Sequence, residues 1–223
     1  MGSIRPDGTG TQNMDQEIPL KRVKTFLFDM GNVLVFFSHP IMCRQMAEVC
    51  GVSPPELKAR VFDSALQWDF ERGFLSEEEF HRTLEAIFEK PIDFELLRQA
   101  SADIFELNTT VIPVLDSLKD QGYRLVLISN TCTTHFDWVR EKYDVLDRFD
   151  DFVVSYEAGA IKPESAIYEL ALTKIQCDPD ECLYTDDIPE YVERGEEFGL
   201  KGTVFTTTDR FVHSLRTFGI ECP

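Results

Sequence analysis

Five short apolar runs separated by helical patterns constrain the fold of this chain more than any other feature. They lie at residues 25–28, 123–129, 152–155, 181–185 and 203–205. Apolar runs without alternation are typical of strands buried on both faces of a parallel sheet. Most of these runs are separated by helical patterns, which lie at residues 111–120, 163–175 and 190–198. This order predicts an α/β fold with a doubly wound parallel sheet and right-handed crossovers.

The stretch between the first two runs, residues 39–108, carries only helical signals. Capping boxes are indicated at residues 53–56 and 76–79, and the first of them has proline at the first helical position. An apolar stripe at helical spacing follows the second box, at Phe80, Leu84, Ile87 and Phe88. A segment of about 70 residues is too long for a simple crossover. We therefore expect a small α-helical cap, inserted after the first strand.

These patterns divide the 223 residues into one core domain and its insertion. The core is expected to comprise residues 23–38 and 109–223, and the cap residues 39–108. Residues 1–22 are rich in small and polar side chains and lack the apolar segment of a signal peptide. We interpret them as a flexible tail.

Charge and cysteine usage exclude several classes of partner. Lysine and arginine number 22 against 40 acidic residues, a formal net charge of −18, which disfavours binding to nucleic acid or to anionic membranes. The six cysteines form no C-x-x-C pair, as is usual for reduced thiols in a cytoplasmic protein. The longest apolar runs fall far short of the roughly 20 residues that span a bilayer. We expect a cytoplasmic protein without nucleic-acid or membrane partners.

Polar side chains follow four of the predicted strands, where parallel sheets bind their ligands. In chain order these are Asp29, Ser129 with Asn130 and Thr131, Lys162, and Asp186 with Asp187. Phosphoryl transfer needs a nucleophile, a divalent cation and donors for the phosphoryl oxygens. A carboxylate at the first strand, a pair of acidic residues that suits Mg²⁺, a hydroxyl and an ammonium group meet those needs. The pattern favours a Mg²⁺-dependent reaction of a phosphate ester.

At these motifs the sequence resembles the haloacid dehalogenase superfamily of hydrolases. The resemblance covers residues 24–206 and rests on Phe28-Asp29-Met30-Gly31-Asn32-Val33-Leu34, Leu127-Ile128-Ser129-Asn130-Thr131, Ile161-Lys162-Pro163-Glu164 and Tyr184-Thr185-Asp186-Asp187, with Gly195 and Gly199 beyond. The helical insertion looks like the cap that this superfamily places between its first two motifs. The Asp-x-Gly-Asn-Val opening and Glu71-Arg72-Gly73 look most like a subfamily IA-like branch that includes bacterial sugar-phosphate phosphatases of the glucose-1-phosphatase type.

The resemblance implies a phosphatase with a Rossmann-like core and assigns roles to the strand-end residues. Asp29 would be the nucleophile that forms an aspartyl-phosphate. Ser129 and Asn130 would bind the phosphoryl oxygens, and Lys162 would hold the nucleophile and the phosphate in register. The substrate would be a small phosphorylated metabolite, with sugar phosphates favoured.

The resemblance also implies a Mg²⁺ site. Its ligands would be Asp29, the carbonyl of Gly31 and one member of the acidic pair. We expect Asp187 to be the direct ligand and Asp186 to reach the ion through water.

The sequence departs from the superfamily pattern at four positions. Gly31 stands where most phosphatases of the superfamily carry a second aspartate, the general acid and base, whose loss typically costs on the order of 10²–10⁴ in rate. Tyr191 replaces a common asparagine, and Glu196 replaces a small residue. Phe36 replaces another aspartate and is expected to make one wall of the site apolar.

Two alternatives to an active phosphatase follow from these residues. A weak or inactive relative that binds a phosphometabolite or a protein partner would explain Gly31 and Tyr191. A haloacid dehalogenase is less favoured, because it needs no metal and Asp186-Asp187 beside Asp29 would then repel one another.

Overall fold

The computed structural model describes residues 22–223, so the tail expected at 1–22 lies outside the described residues apart from Arg22. Within that range the strands, in chain order, are β1 (Thr25–Phe28), β2 (Val35–Phe36), β3 (Glu106–Leu107), β4 (Arg124–Ser129), β5 (Asp151–Val154), β6 (Cys182–Asp186) and β7 (Lys201–Val204). Five of them form a parallel sheet in the order β5-β4-β1-β6-β7. The predicted doubly wound α/β fold is confirmed.

Strand β1 lies at the centre of this sheet and is buried on both faces. Phe28, its last residue, pairs with Leu127 of β4 on one side and with Thr185 of β6 on the other. Phe26 and Phe28 belong to the larger apolar core, whereas Leu27 belongs to a second core on the opposite face. The residue that follows β1 therefore leaves the sheet between the ends of β4 and β6.

Helices cover both faces of the sheet. The helices of the cap region are α1 (His39–Cys50), α2 (Pro54–Leu57), α3 (Leu66–Glu71), α4 (Glu77–Phe88) and α5 (Phe94–Ala102). Those that follow are α6 (Ile112–Asp120), α7 (Thr133–Lys142), α8 (Ser155–Ala158), α9 (Ser165–Lys174), α10 (Pro189–Glu197) and α11 (Thr208–Thr217). The apolar sides of α6, α7 and α11 join the larger core, and that of α9 joins the second core. None of the helices among residues 22–223 is long and apolar enough to cross a membrane.

Three details differ from the sequence-based expectation. Helix α9 begins at Ser165 rather than at 163, because the backbone of Glu164 is extended, with φ of −64° and ψ of 143°, and Glu164 is the N-cap. Helices α7, α8 and α11 were not anticipated. Residues 39–108 are not purely helical, since β3 pairs antiparallel with β2.

Strand β2 lies where the chain leaves the core for the cap, and strand β3 lies where the chain returns. Their pairing joins the two segments. Asn108 reinforces this junction, because its side-chain amide donates to the Val33 carbonyl at 2.8 Å and its backbone N–H donates to the Leu34 carbonyl at 2.9 Å. The chain segment that carries helices α1 to α5 therefore leaves the core and returns to it at the same place beside the sheet.

The far end of the cap is also tied to the core. The hydroxyl of Ser155 donates to the carbonyl of Glu71 at 2.7 Å, and the guanidinium of Arg72 pairs with Glu164 at 2.5 Å. Gly73 follows with φ of 71°, where a Cβ atom would lie 2.1 Å from the Tyr156 carbonyl oxygen. Only glycine fits this approach, which holds the C-terminal end of α3 against the core.

Candidate active site

Asp29 and Lys162 form the centre of a buried charged cluster at the carboxyl end of β1. The Nζ atom of Lys162 lies 2.7 Å from Asp29 Oδ1 and 2.6 Å from Asp186 Oδ2. It also donates to the Ile128 carbonyl at 3.2 Å. Lys162 is 1% exposed. One ammonium group is therefore shared by two carboxylates that follow neighbouring strands.

The two adjacent aspartates after β6 have different surroundings. Asp186 Oδ2 accepts from Tyr184 at 2.5 Å as well as from Lys162, and its Oδ1 accepts from the Ile188 N–H at 2.9 Å. Asp187 lies at the cavity wall, where its Oδ2 accepts from the side-chain amide of Asn32 at 2.9 Å. Asp186 is thus held by the protein, and Asp187 faces the open space.

Carboxylate oxygens of Asp29, Asp186 and Asp187 lie within 4.8 Å of one another. Burial raises the pKa of Asp29 to about 7, and the charge of Asp186 adds to the effect while Lys162 opposes it. Burial also raises the pKa of Asp187. Burial lowers the pKa of Lys162, but Asp186 and Asp29 outweigh it, and the pKa of Lys162 lies above its ordinary value. Three carboxylates around one ammonium leave an excess of negative charge, which a divalent cation would neutralise.

Ser129 and Asn130 bring the end of β4 to the same place. Ser129 is buried and its side chain lines the cavity above Asp29. The side chain of Asn130 accepts from the Lys162 N–H at 2.6 Å and donates to the Lys162 carbonyl at 3.0 Å. These two hydrogen bonds fix the backbone of Lys162 against the end of β4.

A cavity of about 180 Å³ lies between these strand ends and the cap. The predicted site residues on its wall are Asp29, Gly31, Ser129, Asn130, Lys162 and Asp187. Asp186 lies beneath the wall and contacts the site through Lys162. The structure therefore brings together all seven residues to which the sequence assigned a catalytic, phosphate-binding or metal-binding role.

The wall of the cavity that faces the strand ends contains residues that the sequence did not assign to the site. They are Phe37, which precedes the cap, then His39, Met42, Gln67, Trp68, Glu71, Ile104 and Phe105 of the cap, and His135 of α7. Trp68 lies on this wall and is exposed. His39, the first residue of α1, also lies on this wall. Period-2 alternation along the segment after β1 could have indicated Phe37.

The expected role of Phe36 is wrong. Phe36 is 45% exposed and does not line the cavity, whereas its neighbour Phe37 does. Successive side chains of an extended segment point to opposite sides, so the apolar wall is formed one residue later. The ring of Phe37 also lies where a side chain at position 31 would project, since a Cβ on Gly31 would be 2.8 Å from Phe37 Cε1.

Tyr191 packs its ring beside the charged cluster. Lys162 Nζ lies 5.2 Å from the ring centroid, within range of a cation–π contact. The Tyr191 carbonyl accepts from the hydroxyl of Tyr168 at 2.9 Å, which anchors the start of α10. This aromatic ring thus covers one side of Lys162, which still lines the cavity.

Comparison with known proteins identifies related sequences. The family model of haloacid dehalogenase-like hydrolases matches residues 23–199. A sesquiterpene phosphatase of Aspergillus oryzae is 27% identical over 184 residues, which cover 82% of this chain and 90% of that protein. A D-ribitol-5-phosphate phosphatase of Bacteroides thetaiotaomicron is 23% identical over 187 residues, which cover 80% and 90%.

Solved structures share the fold. An enzyme of this family from Bacteroides thetaiotaomicron, in complex with magnesium and inorganic phosphate, aligns with a TM-score of 0.77 at 21% identity, over 87% of this chain and 100% of that chain. The L-2-haloacid dehalogenase of Xanthobacter autotrophicus aligns with a TM-score of 0.58 at 16% identity, over 87% and 83%. At these identities the likeness extends to architecture alone.

Proposed function

This chain belongs to the haloacid dehalogenase-like hydrolases, and from that premise we propose that it hydrolyses a small phosphate monoester through an aspartyl-phosphate on Asp29, with Mg²⁺ as cofactor. The observation that carries the proposal is the cluster at the strand ends. Asp29 faces the cavity, Lys162 contacts it at 2.7 Å, and Asp187 lies beside it. A nucleophile, a cation and a further hard oxygen ligand meet at one point.

The donor set fits Mg²⁺, which prefers carboxylate and carbonyl oxygens and keeps several waters. Asp29, the Gly31 carbonyl and Asp187 would hold the ion directly. Asp186 would act through water, because three donors from the protein already occupy its oxygens. When bound, Mg²⁺ supplies the positive charge that offsets the carboxylates and the phosphoryl group.

The residues of the chain divide the remaining work. A carboxylate oxygen of Asp29 attacks phosphorus, and the bond from phosphorus to the ester oxygen breaks. The hydroxyl of Ser129 and the N–H of Asn130 are suited to donate to the phosphoryl oxygens, and Lys162 neutralises charge on the nucleophile and on the phosphoryl group. Water then attacks phosphorus, which releases phosphate and restores Asp29.

Two features of the cavity bear on the organic part of the ester. Gln67, Glu71 and His39 supply polar groups on the cap wall, which suits the hydroxyls of a sugar phosphate. A second, mostly apolar cavity between the cap and the start of α7 shares Met42, Gln67, Glu71 and His135 with the first. It makes an ester of an apolar alcohol the second candidate, and a sesquiterpene phosphatase is among the relatives.

The test is release of inorganic phosphate from sugar phosphates, polyol phosphates and prenyl phosphates, with Mg²⁺ or with EDTA, for the wild type and Asp29→Asn. We expect release that needs Mg²⁺ and disappears in the variant. Release by Asp29→Asn would contradict the mechanism. Halide release from 2-haloacids without Mg²⁺ would point to a dehalogenase. Binding of phosphate esters without turnover would point to the inactive relative.

A further inference from the structure

Gly31 leaves the site without a carboxyl group that can exchange a proton with the leaving oxygen. Asp29 is the nucleophile of the proposed reaction, and Asp186 and Asp187 belong to the proposed metal site. The leaving oxygen of the ester takes the electron pair of the broken bond to phosphorus. It needs a proton unless the pKa of the alcohol is low. The site therefore needs an acid from elsewhere on the cavity wall.

We propose that Glu71 of the cap is the general acid and base of the proposed phosphatase reaction. Glu71 is the last residue of α3, and its side chain lines the same cavity as Asp29 and Ser129, on the opposite, cap-side wall. The inference rests on the proposed function and adds a residue for which the sequence pattern gave no role.

The backbone around Glu71 is fixed over the strand ends. Its carbonyl accepts from Ser155 in the core, the next residue Arg72 pairs with Glu164, and Gly73 packs against the backbone of Tyr156. Its side chain is oriented by Gln67, whose amide donates to Glu71 Oε1 at 2.7 Å. Three attachments to the core and one within α3 hold this carboxyl group towards the cavity, as positioning of a general acid requires.

The surroundings of Glu71 favour its protonated form. Burial raises the pKa of Glu71, although the hydrogen bond from Gln67 and the charge of Arg72 oppose the change. Of the other titratable groups around it, Cys132 before α7 and Tyr191 on α10 are neutral in their ordinary forms, and Arg98, which lines the adjoining cavity, pairs with Glu77 of α4 at 3.8 Å. A carboxyl group that retains its proton closer to neutral pH is a better general acid.

The two histidines of the cavity are weaker candidates. Burial lowers the pKa of His39, and it lowers the pKa of His135 to about 4. Both are therefore neutral at pH 7 and have no proton to give from an imidazolium. His135 is also tied to the Ser101 carbonyl through Nε2 at 3.2 Å.

The proton balance of the step is as follows. As the Asp29 oxygen bonds to phosphorus, the bond from phosphorus to the ester oxygen breaks and that oxygen takes the proton of Glu71. The Glu71 carboxylate then takes a proton from the water that attacks the aspartyl-phosphate. The products are the alcohol and inorganic phosphate, and both carboxyl groups regain their starting forms.

The experiment compares Glu71→Gln with the wild type in single-turnover assays with Mg²⁺, on an alkyl phosphate and on p-nitrophenyl phosphate. The p-nitrophenol group leaves as the phenolate and needs no proton, whereas the leaving oxygen of the alkyl ester must be protonated. For the variant we expect the first turnover of the alkyl ester to slow by roughly 10²–10⁴ and that of the aryl ester by less than about tenfold. Glu77→Gln is the matched control, because Glu77 lines only the neighbouring cavity and accepts from Thr134 at 2.5 Å.

Equal losses on both esters, or no loss on either, would overturn the role of Glu71. Should Glu71→Gln fail to fold, Glu71→Asp gives the same comparison, since withdrawing the carboxyl group by one methylene is expected to slow the alkyl ester more than the aryl ester. Failure of the proposed function is a separate result: the wild type itself would release no phosphate, or Asp29→Asn would remain active.

Discussion

At the scale of single residues, Lys162 joins a proposed role in the reaction to a role in stability. It is buried and compensates two carboxylates at 2.7 and 2.6 Å. Removing one partner of a buried ion pair leaves an uncompensated charge, which typically costs 3–5 kcal/mol. The same side chain that the proposed reaction uses is therefore also needed for the stability of the strand ends.

We expect Lys162→Met to lower the free energy of unfolding by about 3–5 kcal/mol in EDTA, because Asp29 and Asp186 remain buried without a cation. Urea denaturation measures the change, and Mg²⁺ is expected to restore part of it. Lys174→Met is the matched control. Lys174 pairs with Asp151 at 3.1 Å at a partly exposed position, so its loss is expected to cost less than about 1 kcal/mol. Equal losses of unfolding free energy in Lys162→Met and Lys174→Met would contradict the pairing of Lys162 with both Asp29 and Asp186.

His135 makes stability depend on pH. Burial lowers its pKa from 6.5 to about 4 in the folded protein. Between these values the unfolded chain binds a proton that the folded protein does not, so the free energy of unfolding falls as the pH falls from 6.5 towards 4. Because the side chain is partly exposed, we expect His135 to contribute a loss on the order of 2 kcal/mol. His135→Gln should show a correspondingly smaller loss over this pH range in urea denaturation, and an unchanged pH dependence would contradict the prediction.

At the scale of elements, local sequence predicted the parts of the fold that depend on local patterns. The runs that became β1, β4, β5 and β6 are buried on both faces, so their apolar composition is visible without knowledge of their neighbours. Their polar ends converge because parallel strands finish at one edge of the sheet. Asp29, Ser129 and Asp187 could therefore be placed at one site before any coordinates.

The features that escaped prediction depend on packing between distant segments. Strands β2 and β3 have two residues each, too few for a periodic signal, and exist only because they pair with one another. The cap wall was missed for the same reason. Nothing local to Glu71 indicates that it faces a cavity whose other wall is formed by the ends of β1 and β4.

The junction of α3 with the core offers a prediction at this scale. Gly73 and Gly219 both have positive φ, of 71° and 74°. A Cβ atom at Gly73 would lie 2.1 Å from the Tyr156 carbonyl oxygen, whereas a Cβ atom at Gly219 would have no neighbouring atom within 4 Å. We expect Gly219→Ala to cost about 1–2 kcal/mol through the left-handed backbone alone. Gly73→Ala should cost at least about 1–3 kcal/mol more, as overpacking does, and should also slow phosphate release by moving the end of α3. Equal costs in urea denaturation would contradict the close approach.

At the scale of the whole molecule, the charge of the protein opposes the charge of its proposed substrate. The formal net charge is −18, while a phosphate monoester is a dianion near neutral pH. The positive side chain at the floor of the site, Lys162, is paired with Asp29 and Asp186 and contacts the ring of Tyr191. Long-range attraction therefore does not guide the substrate, and its capture depends on short-range contacts within the cavity.

We expect KM for a dianionic ester to fall about two- to fivefold when KCl raises the ionic strength from roughly 0.01 to 0.15 M at saturating Mg²⁺. The reason is that the Debye length shortens from about 30 to 8 Å, so that the salt screens the repulsion between protein and ester. The value of kcat should change little, since the groups around Asp29 are buried and poorly screened. An ester that also carries an ammonium group is the control, and its KM should respond less. A KM that rises with salt would mean that a local positive field at the cavity mouth outweighs the net charge.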